Sequence, residues 1–424
     1  MTYTNSLAFA REMDKNDSLQ HFRDNFYIPM VNGKESIYFA GNSLGLQPRS
    51  TQEYILGELE DWANYGVEGH LHARYPWLSY HELFPRLLQN LVGGEPEEIV
   101  VMNQLTVNLH ILMTSFYRPT ERRFKIICEA KAFPSDQYAI ESQVMLHKMV
   151  PAEAIIEVGP AEGEYTISTK DILAAIKTHG HETALVLFGG VNYYTGQVFD
   201  MEAITKAAHE AGAVCGLDLA HAVGNVPLRL HDWNVDFACW CSYKYLNSGP
   251  GSVAGAFIHE RHVSNTDIPR MAGWWGHDKE SRFKMDKDFI PMPTAEGWQL
   301  SNAPILSMAA HRASLDIFQE AGMHNIYAKA RQLSDFLLHI IDEINSRTPE
   351  PIITVITPRN EKEKGCQVSM LMRKNGKAIF DGLISAGVIA DWREPDCIRV
   401  APVPLYNSFE DIYRFGEIIS KMLN

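Results

Sequence analysis

Short apolar runs alternate with amphipathic segments between about residues 99 and 260. Apolar runs of this length, bounded by polar turns, are typical of buried strands. Six strands are predicted, at Ile99–Met102, Lys125–Ala130, Ala184–Val191, Val214–Leu219, Phe237–Tyr243 and Ala254–His259. Such alternation predicts an α/β fold with a mostly parallel sheet flanked by helices on both faces.

Two of the intervening helices carry clear end signals. One covers Met201–Ala211 and has Asp200 at its N-cap. The other follows Ser168, whose spacing to Asp171 fits a capping box, and ends at Gly180. We expect both helices to cover the sheet.

The pattern changes after about residue 320. A long helical period at Ile326–Ile344 is followed by strand-like runs near Ile352–Ile356 and Cys366–Met372, and then by a helix near Ala378–Ala386. This α+β pattern predicts a smaller C-terminal domain beside the large one. A chain of 424 residues is long enough for both.

Composition excludes several classes of protein. Hydrophobic residues make up 46% of the chain and charged residues 21%, as in globular proteins. With 52 acidic and 38 basic residues and no basic block, the chain has a net charge of −14, so we expect no nucleic-acid partner. No apolar run approaches the roughly 20 residues of a membrane span, and a cytoplasmic protein without membrane contact is expected.

The six cysteines form no C-x-x-C pair and lie mostly within apolar runs. A thiol in such a run behaves as a small hydrophobic side chain. We therefore expect reduced cysteines and no metal site.

Lys244 follows the predicted strand Phe237–Tyr243 and precedes the glycine-rich segment 247–252. It would lie at the carboxyl end of a strand, where parallel sheets bind ligands. A lysine there suits a Schiff base with a carbonyl cofactor. An ordinary strand-end lysine in contact with water is the alternative.

Asp218 ends the predicted strand Val214–Leu219, and His221 follows three residues later. A buried carboxylate needs a partner, and beside a pyridine nitrogen it would keep that nitrogen protonated. A capping aspartate and a core histidine are the alternatives. A strand ending in Asp, followed by a strand leading to Lys, is the layout of fold-type-I pyridoxal-phosphate (PLP) enzymes.

Two further segments follow predicted strands. Leu105 and Thr106 would begin a helix, where free N–H groups favour a phosphate, although Thr106 could be a plain N-cap. Phe133 could stack on the cofactor ring while Asp136 reaches its polar edge. An exposed turn is the alternative for this second segment.

These residues belong to longer segments that resemble the kynureninase family. The resemblance runs from about residue 25 to the end, and its motifs are Gly41–Pro48, Leu105–His110, Phe133–Ser142, Asp218–Asn225, Asp236–Asn247 and Ile398–Asn407. The middle motifs are shared by many PLP enzymes, whereas the first and the last are specific to this family.

The resemblance implies a homodimer of fold-type-I subunits with shared active sites. Residues 1–45 would form an N-terminal arm and part of the small domain, 46–320 the large PLP-binding domain, and 321–424 the small domain. The implied activity, in tryptophan catabolism and NAD biosynthesis, is hydrolysis of the Cβ–Cγ bond of L-kynurenine and L-3-hydroxykynurenine. The products would be anthranilate or 3-hydroxyanthranilate, and L-alanine.

The resemblance also implies roles for individual residues. Lys244 would carry PLP and Tyr243 would relay a proton during cleavage. The other implied cofactor contacts are Leu105, Thr106, Phe133, Pro134, Ser135, Asp136, Gly189, Asp218 and His221, with Trp274 and Asn302 from the second subunit. The implied substrate contacts are Ser43, His70, Tyr194, Asn302 and Arg399. Gly189 departs from relatives that can present a hydroxyl group there, so only its backbone could contact the cofactor.

Two alternatives remain at this stage. Another fold-type-I activity, such as that of an aminotransferase or a cysteine desulfurase, would use the same framework. A desulfurase needs a mobile nucleophilic cysteine on a polar loop, which the apolar setting of most cysteines disfavours. A catalytically dead relative would have lost a key group, yet Lys244, Asp218 and Arg399 are present.

Overall fold

The computed structural model describes residues 2–423, which form fourteen α-helices and fifteen strands. The helices are α1 Leu7–Lys15, α2 Thr51–Tyr65, α3 Gly69–His72, α4 Phe84–Val92, α5 Leu105–Phe116, α6 Pro134–Leu146, α7 Pro151–Ala154, α8 Thr169–His179, α9 Met201–Glu210, α10 Glu260–Val263, α11 Ile305–Ala321, α12 Met323–Asn345, α13 Gly376–Ser385 and α14 Phe409–Leu423. The strands are β1 Met30–Val31, β2 Lys34–Glu35, β3 Ile37–Tyr38, β4 Ile99–Met102, β5 Lys125–Glu129, β6 Ile155–Val158, β7 Thr183–Gly189, β8 Val214–Asp218, β9 Phe237–Trp240, β10 Ala254–Ile258, β11 Ile353–Val355, β12 Val368–Met372, β13 Val388–Ile389, β14 Asp391–Arg393 and β15 Cys397–Val400.

Seven strands form the large sheet, in the order β4-β10-β9-β8-β7-β5-β6. Only β10 runs against its neighbours, so the predicted mostly parallel sheet is confirmed. The sequence pattern missed β6, an edge strand that contains the exposed Glu157 and therefore lacks a continuous apolar run. The prediction also extended β9 too far. The strand ends at Trp240, and residues up to Asn247 form turns in which the amide of Asn247 donates to the carbonyl of Lys244.

Alternation along β7 shows how the sheet is buried on both faces. Leu185 and Leu187 belong to a core formed with α5 and α6, whereas Val186 and Phe188 belong to a core formed with α8 and α9. Successive side chains of a strand point to opposite faces, so covering both faces requires apolar residues at every position. The predicted caps of α8 and α9 are present: Ser168 Oγ accepts from the amide of Asp171, and Asp200 accepts from Ala203.

A second sheet, in the order β11-β12-β15-β14, is entirely antiparallel. It shares a hydrophobic core with α12, α13 and α14, and Ala10, Ile37 and Phe39 from the start of the chain join that core. The strand β3 pairs with β13 in the same region. Both ends of the chain thus build one layer, although the domain limits at residues 45 and 320 stay predictions.

Among residues 2–423, no helix combines the length and apolar character needed to cross a membrane.

Asp236, directly before β9, is a buried charge that joins several elements. Its carboxylate accepts from His209 Nε2 at 2.8 Å, from the amide of Cys215 at 2.7 Å and from His262 Nε2 at 2.7 Å, and it pairs with Arg261. Burial opposes the charge, but these donors outweigh it and hold the pKa of Asp236 well below its usual range. The ionised carboxylate therefore fixes β8, α9 and α10 around β9.

We expect Asp236→Asn to lower the free energy of unfolding by about 3 kcal/mol at pH 7, because it removes one partner of a buried ion pair. The stabilisation exists above the ordinary aspartate pKa of about 4 and is lost as the pH falls towards the lower folded-state pKa. Urea unfolding at pH 7 and at about pH 2.5 should show a smaller difference between the variant and the parent protein at the lower pH. The exposed Asp232 pairs with Arg229, and Asp232→Asn should cost less than about 1 kcal/mol. Equal losses in both variants would contradict this role.

Candidate active site

A cavity of about 320 Å³ opens at the carboxyl ends of β5, β7 and β8. The structure places most of the predicted cofactor residues together in its wall: Leu105, Thr106, Phe133, Ser135, Asp136, Gly189, Asp218, His221, Tyr243 and Lys244. Ligands bind at this edge of parallel sheets because the loops that follow the strands converge there. The cavity is therefore the candidate active site.

Lys244 and His221 meet inside the cavity, with Lys244 Nζ 2.9 Å from His221 Nε2. Burial, and then the charge of Lys244, lower the pKa of His221 well below its usual range. The neutral imidazole accepts a hydrogen bond from Lys244 at Nε2, so its own proton lies on Nδ1. That Nδ1 is buried and has no hydrogen-bond partner in residues 2–423. A buried donor without a partner fits a site completed by a polar ligand.

Three carboxyl groups line the same cavity. Asp218 ends β8, and its Oδ1 accepts from the amide of Ala220 at 2.8 Å. Burial raises the pKa of Asp218, and burial, followed by the charge of Asp218, also raises the pKa of the adjacent Asp136. Glu129, at the end of β5, has a pKa raised by burial to about 7. A pyridine cofactor with a protonated ring nitrogen would place a positive charge beside Asp218. That charge would offset the repulsion among these acids.

Two helices begin at the opposite wall of the cavity. Thr106 lies in the first turn of α5 and Ser135 in the first turn of α6, and their hydroxyl oxygens are 2.8 Å apart. Pro134 is the first residue of α6, a position where a missing N–H costs nothing. The first N–H groups of a helix lack partners within it and favour an anion. A phosphate group is therefore the kind of ligand that these two helix starts favour.

Phe133 lies at the mouth of the cavity and is 42% exposed. Its ring centroid is 5.9 Å from Lys244 Nζ, and the ring of Tyr193 packs edge-on against it at 5.3 Å. The open face leaves room for an aromatic ring to stack.

Arg399 lies on β15 and is fully buried. Its Nη2 is 2.7 Å from Asp391 Oδ2, and Ser43 Oγ donates to the same carboxylate. Ser43 Oγ also lies 3.4 Å from Arg399 Nη2. A buried guanidinium requires a counter-ion, and Asp391 supplies it here. The predicted substrate residues Ser43 and Arg399 are thus adjacent, and both contact the carboxylate of Asp391.

Tyr194, a predicted substrate contact, does not line the cavity. Its hydroxyl group lies beside the thiol of Cys397, and burial raises its pKa. The neighbouring Tyr193 lines the cavity instead. The predicted substrate contact of Tyr194 therefore stays a prediction.

Besides Ser43, Pro134, Tyr194 and Arg399, three further predicted residues do not line this cavity. His70 is on the short helix α3, and its Nδ1 lies 2.9 Å from the carbonyl of Val67. Trp274 is 42% exposed, and Asn302 lines a separate cavity of about 270 Å³. Within one subunit the structure does not bring them to Lys244.

Sequence reasoning missed several cavity residues, namely Gln104, Glu129, Val191, Tyr193, Ala220 and Cys241. Glu129 carried a usable signal, because it is an acid near the end of the predicted strand Lys125–Ala130, as Asp218 is in its own strand. Tyr193 carried none, since only the fold decides which of two adjacent tyrosines turns into the cavity.

Solved structures define the class of fold. A structure of the enzyme C-DES with glycine covalently linked to its PLP cofactor matches 91% of this chain with a TM-score of 0.76 at 16% identity. A cysteine desulfurase from Thermococcus onnurineus matches 95% with a TM-score of 0.76 at 17% identity. The fold and the site define a PLP-dependent enzyme of fold type I.

Sequence relatives define the family. Residues 326–419 match the family model of the kynureninase C-terminal domain. A kynureninase from Flavobacterium psychrophilum is 53% identical over 99% of this chain and 99% of its own length. A kynureninase from Myxococcus xanthus is 55% identical over 97% of this chain and 96% of its own length. A kynureninase from the animal Nematostella vectensis is 49% identical over 98% of this chain and 93% of its own. The chain belongs to the kynureninase family.

We expect Asp218→Asn to lower kcat on the order of 10²-fold or more, because an amide stabilises a protonated ring nitrogen less than a carboxylate does. Steady-state rates, measured with cofactor loading checked by absorbance, test this. Asp171→Asn on the exposed first turn of α8 is the matched control and should leave kcat unchanged. Near-normal turnover of a fully loaded Asp218→Asn enzyme would exclude the proposed role.

Proposed function

We propose that the chain hydrolyses the Cβ–Cγ bond of L-kynurenine and L-3-hydroxykynurenine, and that Lys244 is its central catalytic residue. The products are anthranilate or 3-hydroxyanthranilate, and L-alanine. The observation that carries the proposal is the contact of Lys244 with His221 inside a cavity lined by acids, near a buried arginine. Full-length identity of about half to kynureninases supports the choice of reaction.

PLP, when bound, supplies an electron sink for the negative charge that develops beside the amino-bearing carbon of the substrate. Lys244 would hold the cofactor and, once freed by the substrate amine, take the α-proton at Nζ. His221 lies 2.9 Å from that atom and, being neutral, can accept a hydrogen bond from it. Thr106 and Ser135 would bind the phosphate, and Asp218 would face the ring nitrogen.

Tyr243 is suited to donate a proton during carbon–carbon cleavage. Burial raises the pKa of its hydroxyl group, which lies beside the thiol of Cys241, so the hydroxyl remains protonated at neutral pH. Water adds to the γ-carbonyl of the substrate, and the Cβ–Cγ bond then breaks. Arg399 would bind the α-carboxylate, because its planar guanidinium can pair with a carboxylate through two hydrogen bonds.

The cysteines argue against a desulfurase. All six are free and buried, and burial raises the pKa of Cys241, the thiol that lines the cavity. A nucleophilic cysteine needs access to the substrate and thiolate character, which burial opposes.

A homodimer with shared active sites forms the second part of the proposal. Large apolar side chains are exposed along α2 and α3 and in the segment that contains Trp274. They are Leu56, Leu59, Trp62, Tyr65, Val67, Leu71, Met271, Trp274, Phe283, Met285, Phe289 and Ile290. Apolar groups in such numbers are typical of protein interfaces. Trp274 and Asn302 would enter the cavity of the partner subunit, and His70 would approach the aromatic ring of the substrate. A cytoplasmic location stays a prediction.

The proposed function is tested by anthranilate release from kynurenine, followed by fluorescence. Lys244→Ala should lower the rate on the order of 10³-fold or more, because it removes the amine that would take the α-proton of the substrate. Lys170→Ala, on the exposed side of α8, should behave as the parent protein does. No anthranilate from the parent protein, or a covalent borohydride adduct with PLP in Lys244→Ala, would refute the assignment.

Mixed dimers test the shared site. We expect a Lys244→Ala subunit combined with a Trp274→Ala subunit to recover activity, because each hybrid dimer contains one site with both residues intact. Native mass spectrometry confirms that subunits have exchanged. If exchange is complete and activity does not return, each subunit contains its own complete site.

A further inference from the structure

Glu129 is a buried carboxyl group to which the proposed mechanism gives no task. It ends β5, beside the end of β7, where Gly189 leaves space for it. A Cβ atom at Gly189 would lie 2.8 Å from Glu129 Oε1, too close for ordinary contact. Gly189 thus leaves room for this carboxyl group.

The carboxyl group holds the turn that follows β7. Asn192 Nδ2 donates to Glu129 Oε2 at 2.9 Å. Asn192 Oδ1 in turn accepts from the amides of Tyr194 and Thr195 at 3.0 and 2.8 Å, and from Thr195 Oγ1 at 3.0 Å. One side chain therefore sets the backbone of residues 192–195, and Glu129 fixes the orientation of that side chain.

The same turn carries the carbonyl group that orients the arginine. The carbonyl of Tyr193 accepts from Arg399 Nη1 and from Gln367 Nε2, and the carbonyl of Tyr194 accepts from Ser369 Oγ. These donors belong to the second sheet or its approach, whereas Glu129 belongs to the large sheet. A continuous set of hydrogen bonds thus leads from the cofactor cavity to the guanidinium.

We propose that Glu129 is a positioning residue that acts through Asn192 and the Tyr193 carbonyl to hold Arg399 in place for the α-carboxylate of the substrate. The inference rests on the proposed function, since it assigns Arg399 to that carboxylate. The hydrogen bond to Asn192 carries the effect, and both the ionised and the neutral carboxyl group can accept it.

Glu129→Ala should raise KM for kynurenine about tenfold or more while kcat changes less than about threefold, because binding geometry is lost and the reacting groups remain. Glu129→Gln keeps an acceptor for Asn192 and should restore KM to within about twofold. Asn192→Ala should reproduce Glu129→Ala. Glu157→Ala, on the exposed edge strand, is the matched control and should leave KM unchanged.

A substrate-like inhibitor without the α-carboxylate separates this role from general damage. The inhibition constant of the decarboxylated amine of kynurenine should change less than about twofold in Glu129→Ala. In an Arg399→Lys background, Glu129→Ala should have little further effect on KM, because the two changes disturb one interaction. PLP affinity and absorbance should remain those of the parent protein.

Several results would overturn the inference: equal losses for kynurenine and the decarboxylated amine, a loss of PLP affinity, or additive effects with Arg399→Lys. If Glu129→Ala does not fold, Asn192→Ala and Glu129→Gln make the same comparison. Failure of the parent protein to release anthranilate would refute the proposed function instead. An active parent with an unaltered Glu129→Ala variant would refute only this inference.

Discussion

The structure depends on keeping three carboxyl groups and one lysine together at the edge of a buried sheet. Asp136, Asp218 and Glu129 line the cavity together with Lys244, and burial raises the pKa of each acid. Such a cluster is unfavourable by itself, because buried charges need partners. It is tolerated where a ligand supplies a positive charge and hydrogen-bond donors. The cavity is therefore shaped by what it must bind, and the rigid parallel strands hold its acids in position.

The buried ion pair between Arg399 and Asp391 lies in the small sheet, and it is connected to the cavity by hydrogen bonds. Arg399 on the small sheet meets Asp391 and Ser43, and its guanidinium also donates to the turn after β7 of the large sheet. The cofactor site and the proposed carboxylate site thus share one hydrogen-bonded turn. A substrate that occupied both sites at once would therefore depend on how the two sheets are oriented.

Proteins of other function share this framework. The cysteine desulfurases that match the fold are 13–17% identical to this chain, so the fold leaves the reaction open. The family-specific motifs at the two ends of the chain lie together in the structure. A Cβ atom at Gly41 would lie 2.4 Å from Tyr406 Oη, and one at Gly45 would lie 2.3 Å from the carbonyl of Lys244. Segments far apart in sequence therefore pack together, and the first of them also contacts the backbone of Lys244.

The sequence by itself determined six of the seven strands of the large sheet, the caps of α8 and α9, and the placement of Lys244, Asp218, Thr106 and Phe133 after strands, because periodicity and end signals are local. It also determined the family, through motifs of consecutive residues. Only the tertiary structure decided that β10 runs antiparallel, that Tyr193 rather than Tyr194 lines the cavity, and that Asp391 pairs with Arg399. Glu129 and Gly189 lie sixty residues apart, and nothing in either local pattern shows that the missing Cβ of one makes room for the carboxyl group of the other. Contacts of this kind depend on how strands are ordered in the sheet, which is settled by packing the whole chain and not by any single segment.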